Sequence, residues 1–206
     1  MKKEKLRKHV FESALRIVED GGVEELNARN LAEKSSCALG SIYNAFGNLE
    51  DLQLHINATV LSRLYEKLSQ AAEKGIAEGL PLLSLFKELG IAYIDFSQKN
   101  RSFWKALFEY LPNQAAPEWY AKRAQEGIYH LCDRLSDVYE IPVVEVKRLV
   151  GFFWSSVHGI SSILLNRKME MVADLFQSDF MSEYIEYGLN GLFANHSDAL
   201  RLPKKK

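Results

Sequence analysis

The sequence predicts an all-α protein, and two observations favour this class. Only 12 glycines and 5 prolines occur among its 206 residues, and apolar residues recur at helical spacing almost everywhere. The composition is that of an ordinary globular protein, with 47% hydrophobic and 26% charged residues. No repeat or low-complexity stretch interrupts the pattern, so we expect packed helices along the chain.

Helix caps and breaks place the predicted helices in order. The first ends at Gly21-Gly22, a pair suited to a left-handed cap. The second begins at Asn27, whose side chain can accept from exposed backbone N–H groups, and Asn48 plays the same part for the fourth. The predicted ranges after the first helix are about 27–34, 38–45, 48–74, 82–97, 101–111, 118–139, 143–166 and 177–195.

Charge and cysteine content limit the function classes. The net charge is −1, so the whole composition gives no support for nucleic-acid binding, and such a function must rest on a local site. Two cysteines, Cys37 and Cys132, cannot form a disulfide framework, and the charged amino-terminal segment lacks the apolar core of a signal peptide. We therefore expect a cytoplasmic protein, in which the uncharged run at 149–166 is a buried helix rather than a membrane span.

Both ends of the sequence are basic. Five of the first eight residues are Lys or Arg, and the last three are Lys204, Lys205 and Lys206. Short charged tails are usually solvated and mobile, which is the simpler interpretation of both ends.

The stretch SSCALGSIYNAF at 35–46 predicts a helix-turn-helix. Helices of about eight residues are too short to be stable alone, so the second and third helices must be held by the first and fourth. The small residues at 35–37 let the two short helices cross closely. The outward face of the third helix, which in this motif enters the major groove of DNA, then carries Leu39, Gly40, Ser41 and Asn44. A corner that only packs one end of a helical bundle is the alternative.

The segment from Leu6 to Leu52 resembles the amino-terminal DNA-binding domain of the tetracycline-repressor (TetR) family. The resemblance rests on ALRIVEDGG, on LNARNLAEKSSCALGSIYNAFGNLEDL and, within it, on G-[ST]-[IL]-Y-x-x-F at 40–46. It implies an operator-binding helix-turn-helix with Tyr43 near a DNA phosphate. By the same resemblance, the residues of the DNA interface are Asn27, Arg29, Ala38, Leu39, Gly40, Ser41, Tyr43 and Asn44.

Four positions depart from the family pattern. Ser36 replaces the usual glycine of the turn, and Ala38 stands where a capping serine or threonine is common. Ala45 and Leu49 stand where the family commonly has a histidine and a lysine that serve phosphate contacts. We expect these last two changes to weaken sequence-independent affinity and its salt dependence, unless the basic segment at 2–8 compensates.

The second half carries a pattern for helix association. In the helix from Val143, small residues occur at intervals of four, four and three, at Gly151, Ser155, Gly159 and Ser162. The last helix can oppose them across a helix pair with the large residues Phe180, Tyr184 and Tyr187. Packing within one chain is the alternative. The TetR resemblance implies that the last two helices form the interface of a homodimer.

Aromatic residues concentrate between 103 and 158, and the irregular, proline-bounded segment at 112–117 can roof an apolar site there. The candidate ligand-binding residues are Phe103, Trp104, Phe108, Trp119, Tyr120, Trp154 and His158. Packing in the core is the alternative for the aromatic side chains, as is a hydrogen-bonded core position for the histidine. The pattern W-x-x-x-H-G at 154–159 resembles the WHG signature of one class of TetR carboxy-terminal domains, and RSFWKALFEY at 101–110 adds to this resemblance.

No motif indicates catalysis or a cofactor. G-x-S-x-G, P-loop, H-E-x-x-H and C-x-x-C stretches do not occur, and the five histidines are scattered. His130 and Cys132, two apart on a helix, point away from each other and make a poor metal pair. We expect no enzymatic activity, no cofactor and no metal. Cys37 is more simply a small buried thiol than a redox switch.

These features predict a TetR-like, ligand-responsive repressor of transcription that binds a palindromic DNA operator as a homodimer and senses an unknown small-molecule effector. We predict a helix-turn-helix DNA-binding domain at 1–50, a helical ligand-binding and dimerisation domain at 51–200 reached through the long fourth helix, and a basic tail at 201–206. The alternative is a helical small-molecule-binding or protein-interaction dimer with weak or lost DNA binding.

Overall fold

The computed structural model describes residues 3–109, 115–166, 180–194 and 201–204. These residues form helices and connecting turns and contain no β-strand, which confirms the all-α prediction. In chain order the helices are α1 Lys3–Gly21, α2 Ala28–Ser35, α3 Leu39–Ala45, α4 Leu49–Ala77, α5 Leu82–Lys99, α6 Arg101–Phe108, α7 Glu118–Tyr139, α8 Val143–Leu165 and α9 Phe180–Phe193. A short 3-10 turn connects α1 to α2.

The predicted helix ranges agree closely with this order. The sixth helix ends at Phe108, and residues 110–111 of its predicted range lie outside the described residues. The same holds for residues 177–179 and 195 at the two ends of the predicted ninth helix.

The chain divides into two compact units. The first comprises Met1–Arg63 and Asn100–Gln125, and the second comprises Leu64–Lys99 and Glu126–Lys206. Helices α4 and α7 each contribute residues to both units. This partition by compactness follows different boundaries from the predicted functional domains, whose limits stay predictions.

In the first unit, α1 packs against α2, α3 and α6. It buries one face through Val10, Ala14, Ile17 and Val18. Helices α2 and α3 have eight and seven residues, so they depend on this packing for their stability.

The ends of the short helices are formed by specific residues. Asn27 caps α2 as predicted, because its Oδ1 accepts the Asn30 N–H at 2.9 Å. Asn48 caps α4 in the same way, accepting the Asp51 N–H at 2.7 Å. Ser36 ends α2 in the left-handed region with a φ of 51°, which explains why a glycine is usual at that position of the turn.

The second unit is built around α5, which packs against α8 and α9. Phe86 of α5 meets Phe153 of α8 edge to face, with ring centroids 4.9 Å apart. On α7, a Cβ added at Gly127 would lie 2.8 Å from the Cβ of Tyr65 on α4. Only glycine therefore fits where these two helices cross.

Both basic ends differ from the predicted mobile tails over the residues that the structure describes. Residues 3–8 form the first turns of α1, and Arg7 is half-buried. Residues 201–204 contact the second unit, since the Leu82 N–H donates to the Arg201 carbonyl at 3.0 Å and the Lys204 N–H donates to the Val138 carbonyl at 2.8 Å. Lys2, Lys205 and Lys206 lie outside the described residues.

Helix α8 keeps an apolar face exposed. Phe152 is 66% exposed, and Trp154 and Ile163 are also exposed. By length and composition alone, α8 is long and apolar enough to cross a membrane. No other helix among the described residues meets these two criteria. The core helix of a soluble protein passes the same test, so this property is weak evidence for a membrane span.

Candidate nucleic-acid interface

Helix α3 separates its buried and exposed side chains sharply. Ile42 and Ala45 are buried against the first unit. Leu39 and Tyr43 are 50% and 48% exposed, and Asn44 is exposed as well. A face with large, uncharged side chains of α3 therefore points to solvent.

The exposed face of α3 combines an open backbone position with polar side chains. A Cβ added at Gly40 would meet no atom within 4 Å, so the backbone is open to close approach there. Asn44 carries an amide that can read base edges or bind phosphate, and Tyr43 carries a hydroxyl. No acidic residue occurs between Glu33 and Glu50, so this surface offers no carboxylate to repel phosphates.

The remaining predicted DNA-binding residues surround this face. Ala38 is exposed at the start of α3 and Ser41 is half-buried. Arg29 is exposed on α2. The Asn27 side chain is used by the helix cap and also donates to the Glu25 carbonyl at 3.4 Å. The assignment of these residues to a DNA interface stays a prediction.

The departures from the family pattern have structural counterparts. Ala38 provides no side-chain cap for α3. Ala45 is 4% exposed, so its side chain faces the core. Leu49 is half-buried at the first position of α4. None of these three side chains offers a charged contact to a phosphate.

Two residues that the sequence did not single out hold the end of α3. Arg7 Nη1 donates to the Ala45 carbonyl at 2.6 Å, and Arg7 Nη2 lies 2.7 Å from His55 Nε2. The guanidinium also lies over the Phe46 ring, 4.1 Å from its centroid. Arg7 belongs to a charge run that resembles a solvated tail, and His55 stands alone in α4, so no sequence signal distinguishes either residue.

The comparisons with known proteins identify the fold and the carboxy-terminal half. Residues 86–181 match the family described as tetracyclin repressor-like, C-terminal domain. A TetR-family protein from Vibrio parahaemolyticus has the same fold, with a TM-score of 0.57 and 17% identity over 97% of this chain and 99% of that one. Residues 86–181 are thus similar in sequence to TetR-type carboxy-terminal domains, and the chain shares the fold of this TetR-family protein.

Two further structures share the fold of this chain. One is a protein of unknown function from Rhodococcus sp. RHA1, with a TM-score of 0.66 and 16% identity over 92% of this chain and 94% of that one. The other is the multidrug binding protein EbrR complexed with imidazole, with a TM-score of 0.59 and 17% identity over 88% of this chain and 93% of that one. No curated protein matches the sequence.

The predicted ligand-binding residues fall into both units. Phe103 and Trp104 are buried in the first unit, where Trp104 packs against Phe108 with ring centroids 4.5 Å apart. Trp119 is 38% exposed and stacks on His55 at 4.4 Å. Burial raises the pKa of Tyr120, whose hydroxyl is hydrogen-bonded to the side chain of Asn57. Residues 112–114 of the predicted roof, and Tyr110 beside it, lie outside the described residues.

The other two predicted ligand residues meet through a buried tyrosine of the second unit. Trp154 Nε1 donates to the Tyr93 hydroxyl at 2.9 Å, and that hydroxyl lies 3.0 Å from His158 Nδ1. Burial lowers the pKa of His158 and raises that of Tyr93. A neutral imidazole accepting from the tyrosine satisfies all three groups. The assignment of the carboxy-terminal domain to the WHG class stays a prediction.

The predicted dimer residues of α8 and α9 lie on an open face. Gly151 and Ser155 are exposed, Gly159 and Ser162 are half-buried, and Tyr187 is 75% exposed. A groove of about 560 Å³ runs between the two helices beside them. Phe180 and Tyr184 belong to α9, and their side chains lie outside the described residues.

The two cysteines lie at separate places in the part of the chain that the structure describes. No group of three or more His, Cys, Asp or Glu side chains forms a metal site there. Cys132 is buried, which raises the pKa of its thiol to about 11. Cys37 is half-buried, with Sγ donating to the Ser35 carbonyl at 3.4 Å.

Proposed function

We propose that this chain is a TetR-family transcriptional regulator that binds a palindromic DNA operator through α3. The single observation that carries the proposal is the exposed face of α3, where Leu39, Tyr43 and Asn44 stand in solvent while Ile42 and Ala45 are buried. A short helix held in this way can enter the major groove without losing its packing.

The proposed regulator acts as a homodimer. The α8 and α9 face supports this, because exposed apolar side chains beside exposed small residues are typical of a surface that a second copy covers. A two-fold dimer presents two copies of α3, and two half-sites in the operator match them. The same covering explains an apolar α8 in a cytoplasmic protein.

A small-molecule effector is the proposed signal, and relief of repression is the proposed response. The buried aromatic side chains around Trp104 and the hydrogen-bonded group at Tyr93 supply candidate contacts. A ligand that favours one arrangement of the dimer would change the spacing of the two α3 helices, and operator affinity would fall by its differential affinity for the two arrangements. No catalytic role is proposed.

Selection of bound duplexes from a random pool, at low and physiological salt, tests the DNA-binding proposal. We expect enrichment of a palindromic site and a loss of about fivefold or more in affinity for it in Asn44→Ala, because a base contact is worth about 1–3 kcal/mol. Gln98→Ala, an exposed amide on α5, is the matched control and should retain the wild-type affinity. If no duplex is retained at low salt, the proposal fails.

A second candidate is a helical small-molecule-binding or protein-interaction dimer with weak or lost DNA binding. The buried Ala45 and half-buried Leu49 favour it, because the family's phosphate contacts are missing at both positions. The salt dependence of duplex retention separates the two candidates. A regulator loses affinity steeply as salt rises, whereas the second candidate shows no retention to lose.

A further inference from the structure

Helix α1 supplies a donor to the last carbonyl of each helix in the helix-turn-helix. Arg7 Nη1 donates to the carbonyl of Ala45, the last residue of α3. His9 Nε2 donates to the carbonyl of Ser35, the last residue of α2, at 2.8 Å. Helix ends carry unpaired carbonyls and partial negative charge, so donors and cations are favoured there. The orientation of α3 is thus tied to α1 by side chains as well as by packing.

The contact between Arg7 and His55 defines the chemical state of the histidine. A guanidinium has five N–H groups and no acceptor. Because Arg7 Nη2 lies 2.7 Å from His55 Nε2, that ring nitrogen must be the acceptor. The imidazole is therefore neutral, with its proton on Nδ1. A protonated imidazole would place an N–H against the guanidinium and could not accept this bond.

The surroundings hold the His55 ring in this position. Trp119 stacks on one face at 4.4 Å with an angle of 19° between the rings, and Phe46 meets the ring at 5.6 Å. The Thr59 hydroxyl donates to the His55 carbonyl at 2.9 Å. These groups line a groove of about 520 Å³.

Charged groups around the ring act in opposite directions. Asp51, 3.7 Å from Nε2, favours the protonated imidazole. Arg7 disfavours it, as does burial, and the pKa of His55 is lowered overall, with burial as the largest cause. The other charged groups that face the groove are Glu4 and Lys8 on α1 and Arg123 on α7.

We infer that Arg7 and His55 are positioning residues for α3: neutral His55 holds Arg7 on the Ala45 carbonyl, and protonation of His55 releases Arg7 and weakens operator binding. This inference rests on the proposed function. His9 donates in both of its protonation states, so its bond to α2 persists in acid. Acid therefore loosens the end of α3 and leaves that of α2 held.

The sign of the pH effect separates this mechanism from general electrostatics. Acid adds positive charge to a protein and ordinarily strengthens its binding to DNA. The positioning contact predicts the opposite. We expect operator affinity to fall about fivefold to tenfold between about pH 7.5 and about pH 5.5, which bracket the ordinary pKa of histidine.

Matched variants assign the effect to this contact. His55→Gln should flatten the pH dependence, because an amide oxygen accepts from Arg7 and does not titrate. His130→Gln, at an exposed position of α7, should keep the wild-type pH dependence. Arg7→Met should lose more affinity than Lys5→Met at about pH 7.5, and this difference should shrink at about pH 5.5, where protonated His55 has released Arg7 in the wild type. Lys5→Met removes the same charge from an exposed position of α1. Wild-type affinity that rises in acid as much as that of His55→Gln would overturn the inference.

A measurement without DNA keeps the inference separate from the proposed function. In NMR spectra of the full chain, His55 should be the Nδ1–H tautomer and should titrate below the ordinary histidine value of 6.5. Its pKa should rise in Arg7→Met, because a nearby cation is removed, and stay unchanged in Lys5→Met. If Arg7→Met leaves the His55 titration unchanged, the positioning contact is wrong even when operators are bound. If no operator is bound but the titration shifts, only the proposed function fails.

Discussion

The two basic ends of the sequence perform the same task in the two units, with different chemistry. In the first unit, Arg7 donates to the carbonyl of Ala45 at the end of α3. In the second, Arg201 donates to the carbonyls of Tyr139 and Glu140 at the end of α7, at 3.2 and 2.5 Å. Each arginine thus satisfies carbonyls that a helix end leaves unpaired. A basic segment that resembles a solvated tail can therefore stabilise the fold when one of its arginines reaches the carbonyls at a helix end.

The surroundings of the two arginines make the difference between them. Arg7 is held by a neutral histidine and an aromatic ring, inside a half-buried groove. Near Arg201, Glu140 pairs with Lys204 at 2.8 Å, and both side chains are exposed. The Arg7 contact depends on an uncharged histidine, whereas the Arg201 contacts lie beside charged side chains. We therefore expect the two ends to respond differently to substitution and to pH.

The largest loss of stability should come from a packing contact between α4 and α7. It gives a reference against which the smaller effects at the two basic ends can be compared. Gly127→Val should destabilise the fold by about 3 kcal/mol, because a side chain there would overlap Tyr65. Chemical denaturation measures the change. Gly47→Ala is the control, since a Cβ at Gly47 meets no atom within 4 Å. A wild-type midpoint for Gly127→Val would show that α4 and α7 do not cross so closely.

Removing the carboxy-terminal end should have the next largest effect. A chain that stops after residue 200 loses the Arg201 contacts and leaves the Leu82 N–H without its acceptor, which should cost about 2 kcal/mol of stability. A chain that stops after Lys204 keeps these contacts and is the control. Equal melting temperatures for the two truncated chains would contradict a structural role for residues 201–204.

Left-handed residues at two helix ends offer a smaller, paired test. Ser36 and Glu140 have φ values of 51° and 55°. Ser36→Gly should stabilise the protein by about 1 kcal/mol, because glycine adopts this conformation without strain. Glu140→Gly should gain less, since it also removes the Lys204 partner. Thermal unfolding of both variants checks the order, and a larger gain from Glu140→Gly would contradict it.

The pH dependence of stability should be the smallest effect and should separate the ends by pH window. The folded pKa of His55 is lowered from 6.5, so the unfolded state binds its proton first, and stability falls as pH drops below about 6.5. The pKa of Glu140 is lowered from 4.5 by the Lys204 hydrogen bond, so its contribution is lost only as pH falls below about 4.5.

Denaturation of His55→Gln and Glu140→Gln across this range measures the two windows. His55→Gln should remove the decline that begins near the ordinary histidine pKa, and Glu140→Gln should remove only the decline in stronger acid. A decline near neutrality that survives in His55→Gln would assign it to another group, of which His158, with its pKa also lowered by burial, is the next candidate.

Local signals in the sequence predict the helices and the helix-turn-helix motif. Helical periodicity and the caps at Asn27 and Asn48 depend only on residues close together in the chain. The helices could therefore be predicted without knowledge of the tertiary structure. The outward face predicted for α3 is exposed at Leu39, Gly40 and Asn44, whereas Ser41 is half-buried. The weaker cap at Ala38 was also visible, since it depends on a single side chain.

The roles of the charged ends and of the isolated polar residues depend on the packing of the folded chain. Arg7 is 38 residues from Ala45 and 48 from His55, and Arg201 is 62 from Tyr139. Tyr93 is 65 residues from His158. A charge run or a lone histidine carries no periodic signal that points to a distant partner. Folding decides which helix end or ring lies within hydrogen-bond distance of each of these side chains. A donor stabilises the fold only where it meets an otherwise unpaired acceptor.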